Sequence, residues 1–343
     1  MNGHHTARPL SRRTLLGAVS GLGAAGLLSA CGGVAAGSSG GGSVRTQLSW
    51  LKDVTFAGHY IADHEGYFRS EHIKGALVPG GPSVPDTVTP AVAGAADVAL
   101  ADFAAVIAAR AQGADLVAIG AVLQTSPGGF VSLASRPVRT AKDLVGSRIG
   151  LSPGSEVLVE AILRLNRLPV RYTRVPVGSG TAALTKGQCD VMACYVTSQP
   201  LALKAAGHDV VAVTQSDLGM PDYALVMAAR RSDIDKRRDD YVGYLRAVAR
   251  GYRRNLDSPA LGTKLTLEVY GKSLGLDPGI TAAENLAQNH LVTNAYTDVH
   301  GLCAVDPEQL SAHVYPGLRA RGTKTLPPVP ELLDGSLIAE AHG

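Results

Sequence analysis

The sequence predicts an α/β fold of two lobes. Three observations predict it. Strand-like and helix-like segments alternate from about residue 46 onward, as βαβ units around a sheet do. The same rhythm starts afresh near residue 148. Two extended segments, 130–135 and 223–228, give the chain a passage into the second block and back again.

In order, residues 46–51 read as a strand and 56–68 as an amphipathic helix. A strand over 73–78 follows, then a helix over 85–95, a strand over 97–101, a helix over 103–112 and a strand over 115–123. The second block runs strand 148–151, helix 157–166, strand 173–177, helix 181–186, strand 190–195, helix 198–206 and strand 210–214. A last strand over 223–228 leads into mostly helical sequence. The expected layout is lobe 1 at 44–135 plus 226–325 and lobe 2 at 136–225. A cleft between two hinged lobes is a common place for a small ligand.

The N-terminus reads as an address. Arg12 and Arg13 precede a short run rich in Gly and Ala, which ends at Leu28-Ser29-Ala30-Cys31. A spanning helix wants about 20 strongly apolar residues. A Tat-like signal over 1–30 fits the pattern better. Its end resembles the bacterial lipobox, which makes Cys31 the expected lipidation site and 31–43 a Gly- and Ser-rich flexible tether. The expected location is the outer face of the cytoplasmic membrane. The net charge of +3 comes from Arg8, Arg12 and Arg13; without them 29 basic residues face 29 acidic ones. That balance argues against nucleic acid as a partner. Beyond Cys31 there are Cys189, Cys194 and Cys303. Three buried thiols, or one disulfide and a thiol, would both accommodate the odd number; zinc-type pairing is absent.

Several stretches then agree with one family. They are Leu48-Ser49-Trp50, Phe56-Ala57-Gly58-His59-Tyr60, Gly66-Tyr67-Phe68 and Val78-Pro79-Gly80-Gly81-Pro82. Gly94-Ala95-Ala96-Asp97-Val98, Asp143-Leu144-Val145-Gly146 and Gly187-Gln188-Cys189-Asp190-Val191 continue the series, and Tyr270-Gly271-Lys272 and Gln288-Asn289 follow in the helical part. In this order and spacing the chain resembles the solute-binding lipoproteins of ABC importers in the nitrate, sulfonate and thiamine-precursor group. The resemblance spans nearly all of 46–320 and implies the type II periplasmic-binding-protein fold. It also implies a small-molecule ligand, a membrane permease as partner with the ATPase on a separate chain, a lipid anchor and a monomer. The Phe-Ala-Gly-x-Tyr form looks like the members that bind heteroaromatic vitamins or their precursors, such as thiamine pyrimidines or riboflavin.

The candidate ligand residues follow from both sources. Trp50, the chain's single Trp, stands at a strand end with Phe56 and Tyr60 beyond it. Strand ends of open α/β sheets face the ligand crevice, where a flat ring can stack. Composition alone places Trp50 and Phe56 in a core; the resemblance turns Trp50 and Tyr60 toward the ligand and leaves Phe56 undecided. Gly80, Gly81 and Ser83 precede a helix start, where backbone N–H groups are unspent. Asp102 opens the next helix and reads first as an N-cap alone, with a cap that also touches the ligand as the alternative. Ser126 lies near the first crossing, Gly154 and Ser155 open a helix in the second lobe, and Tyr223 sits on the return crossing. Tyr195-Val196-Thr197-Ser198-Gln199-Pro200 resembles a Tyr-x-Thr-Asn-Glu-Pro stretch of vitamin-precursor relatives, with Gln199 in place of the carboxylate. Tyr195, Thr197 and Gln199 are therefore candidates.

Catalysis is not expected, nor any cofactor or metal. Enzymes of this fold that make the thiamine pyrimidine hold pyridoxal phosphate on a lysine and consume a histidine one turn later. By the resemblance those positions fall near Ala101 and Ala105, which supply neither amine nor imidazole. The cysteine-rich stretch of such enzymes falls near Met220-Pro221-Asp222-Tyr223. His59, His64 and His72 lack the spacing of a metal site. Three readings stand beside the heteroaromatic binder: a binder of alkanesulfonate or nitrate, an enzyme of the thiamine-pyrimidine synthase type, which the missing Lys, His and Cys disfavour, and a surface lipoprotein without transport.

Overall fold

The computed structural model describes residues 42–343 apart from Pro85 and Ser179. The expected signal, Cys31 and all of the tether but its last two residues lie outside the described residues. Ten strands occur among those residues: β1 (Ser43–Gln47), β2 (Lys74–Val78), β3 (Val98–Ala101), β4 (Leu116–Leu123), β5 (Gly128–Leu133), β6 (Arg148–Leu151), β7 (Thr173–Pro176), β8 (Val191–Tyr195), β9 (Val210–Thr214) and β10 (Ala224–Arg230). They form two five-stranded sheets, ordered β2-β1-β3-β10-β4 and β7-β6-β8-β5-β9. In each sheet one inner strand runs against its neighbours: β10 in the first, β5 in the second. These are the two strands by which the chain enters a sheet from the other lobe.

That topology moves the expected boundaries. Residues 130–135 were to be a crossing at the end of lobe 1, but most of them belong to β5, which is laddered to β8 and β9 in the second sheet. Residues 223–228 likewise fall almost wholly in β10 of the first sheet. The true crossings are 124–127 and 215–223. Extended backbone was read correctly; the sheet that would claim it was not. At the other end, helix Ser336–His342 lies past residue 325 and packs on the long helix Arg238–Asp257 of the first lobe. Helix Tyr315–Ala320 joins the first lobe's core through Tyr315 and Leu318 and also packs on Glu156–Leu165 of the second, where Arg164 Nη1 donates to the Ala320 carbonyl at 3.3 Å. The start of β1 at Ser43 takes the last residue of the expected tether into the sheet.

One device is built twice. Asp97 precedes β3 and accepts from the backbone N–H and the guanidinium of Arg45 on β1, at 2.8 and 2.9 Å. Asp190 precedes β8 and does the same for Arg148 on β6, at 2.9 Å to the backbone and 2.7 Å to Nη2. A carboxylate that takes both groups of a neighbouring strand's first residues fixes the register there. This is the physical content of the Gly-x-x-Asp-Val pattern in both halves.

The first lobe is the more densely aromatic. Strand β4 is buried along its whole length, as its unbroken apolar sequence requires. Helix Ala57–His64 lies against Arg238–Asp257 so closely that a Cβ at Gly251 would overlap the Gly58 carbonyl oxygen. The expected helix over 56–68 breaks at Gly66, whose φ of 75° ends the first segment before Tyr67–Ser70 begins. No helix among the described residues is long and apolar enough to cross a membrane.

Candidate functional site

The crossings leave a cleft of about 1610 Å³ between the lobes. That exceeds the usual few hundred to 1,000 Å³ of a ligand pocket, so it has room for a small ligand and its water. The first lobe contributes the loop after β1, helix Phe103–Ala111 and the ends of β3 and β4; the second contributes the loop after β6 and the end of β8. These are the carboxyl ends of β1, β6 and β8, where an open α/β sheet offers its crevice.

Nine of the fourteen expected ligand residues line this cleft: Trp50, Asp102, Ser126, Gly154, Ser155, Tyr195, Thr197, Gln199 and Tyr223. Trp50 is 48 % exposed and Tyr195 60 %, each far more open than an aromatic core residue. The Trp50 carbonyl accepts from the Gly80 N–H at 2.9 Å, which pins the loop that carries the indole. Asp102 caps helix Phe103–Ala111, accepting from the Ala105 N–H at 2.7 Å, and remains exposed to the cleft. Ser152 and Ser155 hydroxyls pair at 2.8 Å. Gln199 Oε1 accepts from the Tyr195 N–H at 2.9 Å, so its amide nitrogen is the end left for other partners. Tyr223 is buried, its hydroxyl accepting from the Asp306 N–H at 3.1 Å and its ring set edge-on to Phe103.

The other five do not line the cleft. Phe56 and Tyr60 are fully buried in the first lobe's core. Tyr60 stacks on Tyr270 with centroids 4.3 Å apart and donates to the Asp53 carbonyl at 2.9 Å. A helix face that carries aromatic residues four apart pays most when it is buried, and burial won here. Gly80 is packed so that a Cβ would meet the Leu48 carbonyl oxygen at 2.5 Å; its need for glycine is structural. Gly81 is buried beside it, and Ser83 is exposed outside the cleft.

Sequence reading missed most of the cleft's charge, having named only Asp102 among its acids. Asp53, Asp86, Asp102, Asp222 and Glu284 line it, against a single basic residue, Arg321. Asp53 caps the turn after Trp50 and accepts from the Thr55 N–H at 2.9 Å; burial raises its pKa. Burial raises Glu284 as well, although the Ser198 hydroxyl across the cleft opposes the shift. Asp222 is pushed up to about 7 by burial, against the pull of Arg321. The Tyr195 hydroxyl is raised by desolvation first, then by the carboxylates of Asp102 and Asp53. An N-cap Asp could have been found from its place before a helix; Glu284 and Arg321 could not, since each joins the site from far along the chain. Cys194 also lines the cleft, its thiol pushed up to about 12 by burial. Cys189 and Cys303 are buried, and none of the three is paired. No group of three His, Cys, Asp or Glu among the described residues has the arrangement of a metal site.

Comparison with known proteins adds four findings. A family model described as NMT1/THI5 like matches residues 53–261. The formylaminopyrimidine-binding protein of Halalkalibacterium halodurans is 26 % identical over 243 residues, covering 65 % of this chain and 70 % of that protein. A 4-amino-5-hydroxymethyl-2-methylpyrimidine phosphate synthase of Legionella pneumophila is 26 % identical over 161 residues, 46 % of this chain and 50 % of that one. Among solved structures, the periplasmic aliphatic sulphonate binding protein SsuA of Escherichia coli superposes with a TM-score of 0.64 at 17 % identity, covering 85 % of this chain and 92 % of that one. The fold is thus the two-lobe periplasmic-binding-protein fold.

Proposed function

The chain belongs to the NMT1/THI5-like family, and from that premise we propose that it is the solute-binding component of an ABC importer. Its ligand is a small heteroaromatic nutrient that carries amino groups, a thiamine-pyrimidine precursor in class. The single observation that carries this reading is the pairing of open aromatic faces with acid. Trp50 and Tyr195 stand exposed in a cleft lined by five carboxylates and one cation. A flat ring stacks on the first, and its amino groups donate to the second. Trp50 from one lobe and Tyr195 from the other would meet the ring together. Ligand would then stabilise the closed state by touching both lobes. The relative of H. halodurans, by its name a formylaminopyrimidine-binding protein, supports the same class.

The anion reading has less to work with. A sulfonate or nitrate needs basic side chains or grouped amides, and the one lining Arg is already engaged by Gln215 and Asp222. The synthase reading has still less, since Ala101 and Ala105 line the cleft where a lysine and a histidine would be wanted. The export signal over 1–30, lipidation at Cys31, the tether and a permease that reads the closed form complete the proposal.

Trp50→Ala tests it. Titration with a 4-amino-2-methylpyrimidine probe should show affinity falling by about tenfold to a hundredfold. The melting temperature without ligand should hardly move, because the indole is half exposed. Equal binding by variant and wild type would remove stacking from the account. Tight binding of an alkanesulfonate and none of the pyrimidine would remove the ligand class.

A further inference from the structure

Two pieces of sequence that the cleft leaves unused meet beneath it. Tyr60 comes from the Phe-Ala-Gly-x-Tyr stretch and Tyr270 from Tyr270-Gly271-Lys272. Their rings stack with centroids 4.3 Å apart and planes 7° from parallel. Tyr270 ends the π-helical turn Thr266–Tyr270, where the Gly271 N–H donates to the Thr266 carbonyl at 2.7 Å. Turns of this kind are rare and are found mostly where a site needs them. The Tyr270 hydroxyl donates to Asp63 Oδ2 at 2.5 Å, so its ring is anchored to helix Ala57–His64, which also carries Tyr60.

What the pair supports is the loop 50–53, which brings Trp50 and Asp53 to the cleft. The Tyr60 hydroxyl donates to the Asp53 carbonyl at 2.9 Å. Lys52 Nζ stands 6.0 Å from the centre of the Tyr270 ring. The Lys52 carbonyl lies so close to Gly271 that a Cβ there would overlap it. The flanks of the loop are fixed by other means. The Gly80 N–H bonds the Trp50 carbonyl at one end, and Gln288 Nε2 donates to the Thr55 carbonyl at 2.8 Å beyond the other. Among the described residues, no side chain from outside the loop except Tyr60 hydrogen-bonds residues 50–53. That tie matters because the indole is half exposed. A side chain with little packing of its own is aimed by the backbone that bears it and by the residues behind that backbone.

We infer that Tyr60, backed by Tyr270, is a positioning residue: its hydroxyl fixes the Asp53 carbonyl and so sets Trp50 and the Asp53 carboxylate where a flat ring meets both. This rests on the reading of the cleft as a ring-binding site, and it adds how the core aims two of its walls. Tyr60 is fully buried and touches no ligand itself. A loop set in advance spares the ligand the work of ordering it, so losing the tie lowers affinity. The loss is also visible without ligand. Trp50 is the chain's only Trp, and its fluorescence reports on this loop alone.

Tyr60→Phe on the full chain keeps the stacked ring and removes the tie. Acrylamide should quench Trp50 more readily in this variant than in wild type, and the anisotropy of its emission should fall. Calorimetric titration with an aminomethyl probe, 5-(aminomethyl)-2-methylpyrimidin-4-amine, should show affinity lower by about three- to tenfold, the worth of one hydrogen bond. Tyr244→Phe is the control. It strips a buried hydroxyl from the same lobe's core, where Thr46 and His59 bond it, and leaves the loop's own bonds in place. Its Trp50 signal should match wild type, and its affinity should stay within about twofold. Tyr270→Leu, the second variant, removes the stacked ring and should move both readouts in the direction of Tyr60→Phe. Tyr270→Phe keeps that ring and should move them less. Where wild type binds the probe, either readout left unchanged in both Tyr60→Phe and Tyr270→Leu overturns the positioning role. So do changes of equal size in Tyr60→Phe and Tyr244→Phe, which would mark a general loosening of the lobe. A wild type that binds no pyrimidine, with Trp50 loosened by Tyr60→Phe and not by Tyr244→Phe, overturns the ring-binding reading and leaves the hold of Tyr60 on the loop standing.

Discussion

Two buried polar clusters of this protein sit at similar depth and are finished to different degrees. The first surrounds His59 in the first lobe. Its Nδ1 is 3.1 Å from the Tyr252 hydroxyl and its Nε2 is 3.3 Å from that of Tyr244. Tyr252 donates to the Thr55 carbonyl at 3.3 Å, and Thr46 donates to Tyr244 at 3.2 Å. Every proton has one place in this arrangement: Nδ1–H donates to Tyr252, and Tyr244 donates to Nε2. The second cluster is that of Gln215, Arg321 and Asp222, in which Gln215 Nε2 and Arg321 Nε have no partner among the described residues. The first network is completed away from the cleft by side-chain hydroxyls and a ring, whereas the second sets a carboxylate beside a guanidinium on the cleft wall.

The strongest way to break this contrast is to damage the completed side. His59→Leu removes the bridge between two buried hydroxyls, which then lose a partner each. Urea denaturation should show a loss of about 2–4 kcal/mol. Affinity for the pyrimidine probe, measured where the variant is folded, should stay within about twofold, since neither His59, Tyr244 nor Tyr252 lines the cleft. An affinity loss that tracks the stability loss would mean the two clusters are not separate.

The two clusters should also pull stability in opposite directions with pH. Burial lowers His59 from 6.5 to about 3. The unfolded chain takes up that proton first, so the contribution of neutral His59 is whole above 6.5 and is lost as pH falls toward 3. Burial raises Asp222 from 3.8 to about 7. Here the folded state keeps the proton longer, so its contribution is whole below 3.8 and is lost as pH rises toward 7. The slopes overlap and oppose one another between about pH 4 and 6.5. Asp222→Asn removes the second slope and exposes the first. The variant should be more stable than wild type at pH 8, by on the order of 1–3 kcal/mol. The two should converge near pH 4, with the variant's stability rising between. Parallel pH curves would show that Asp222 does not titrate in this way.

Which parts of this were legible beforehand follows the range of the interactions. Strands β6 and β9 were placed to the residue, because a short apolar run between turns is a local signal. The error at β5 and β10 has a physical origin: alternation reveals that a segment is extended but not which sheet will hydrogen-bond it. Trp50 and Tyr195 were placed in the site from strand ends and a motif. Phe56 and Tyr60 came from the same motif and went to the core, because one side of helix Ala57–His64 had to cover helix Arg238–Asp257. Glu284 and Arg321 had no local sign, as each enters the cleft only through the packing of helices distant in sequence. The acidity of the cleft was therefore the least legible feature, although it bears most on the ligand.

Gln199 stands between the two kinds of cluster and offers the finest test. Its oxygen is spent on the Tyr195 N–H, as in a completed network, while its side chain forms part of the cleft wall. Gln199→Glu preserves that oxygen and its bond, so fold and loop should persist with a stability change within about 0.5 kcal/mol. What it adds is a charge on the second lobe's wall, facing the place where amino groups of the ring would lie. Screened by cleft water, one such charge is worth a fraction of a kcal/mol to 1 kcal/mol, or about two- to fivefold in affinity. The gain should appear with the aminomethyl probe, which carries a full positive charge, and shrink as salt is raised from low to physiological strength. It should be absent with an uncharged 2-methylpyrimidine. A gain of equal size for charged and uncharged rings would place the effect in loop packing, and Gln199 would then belong with His59 rather than with Arg321.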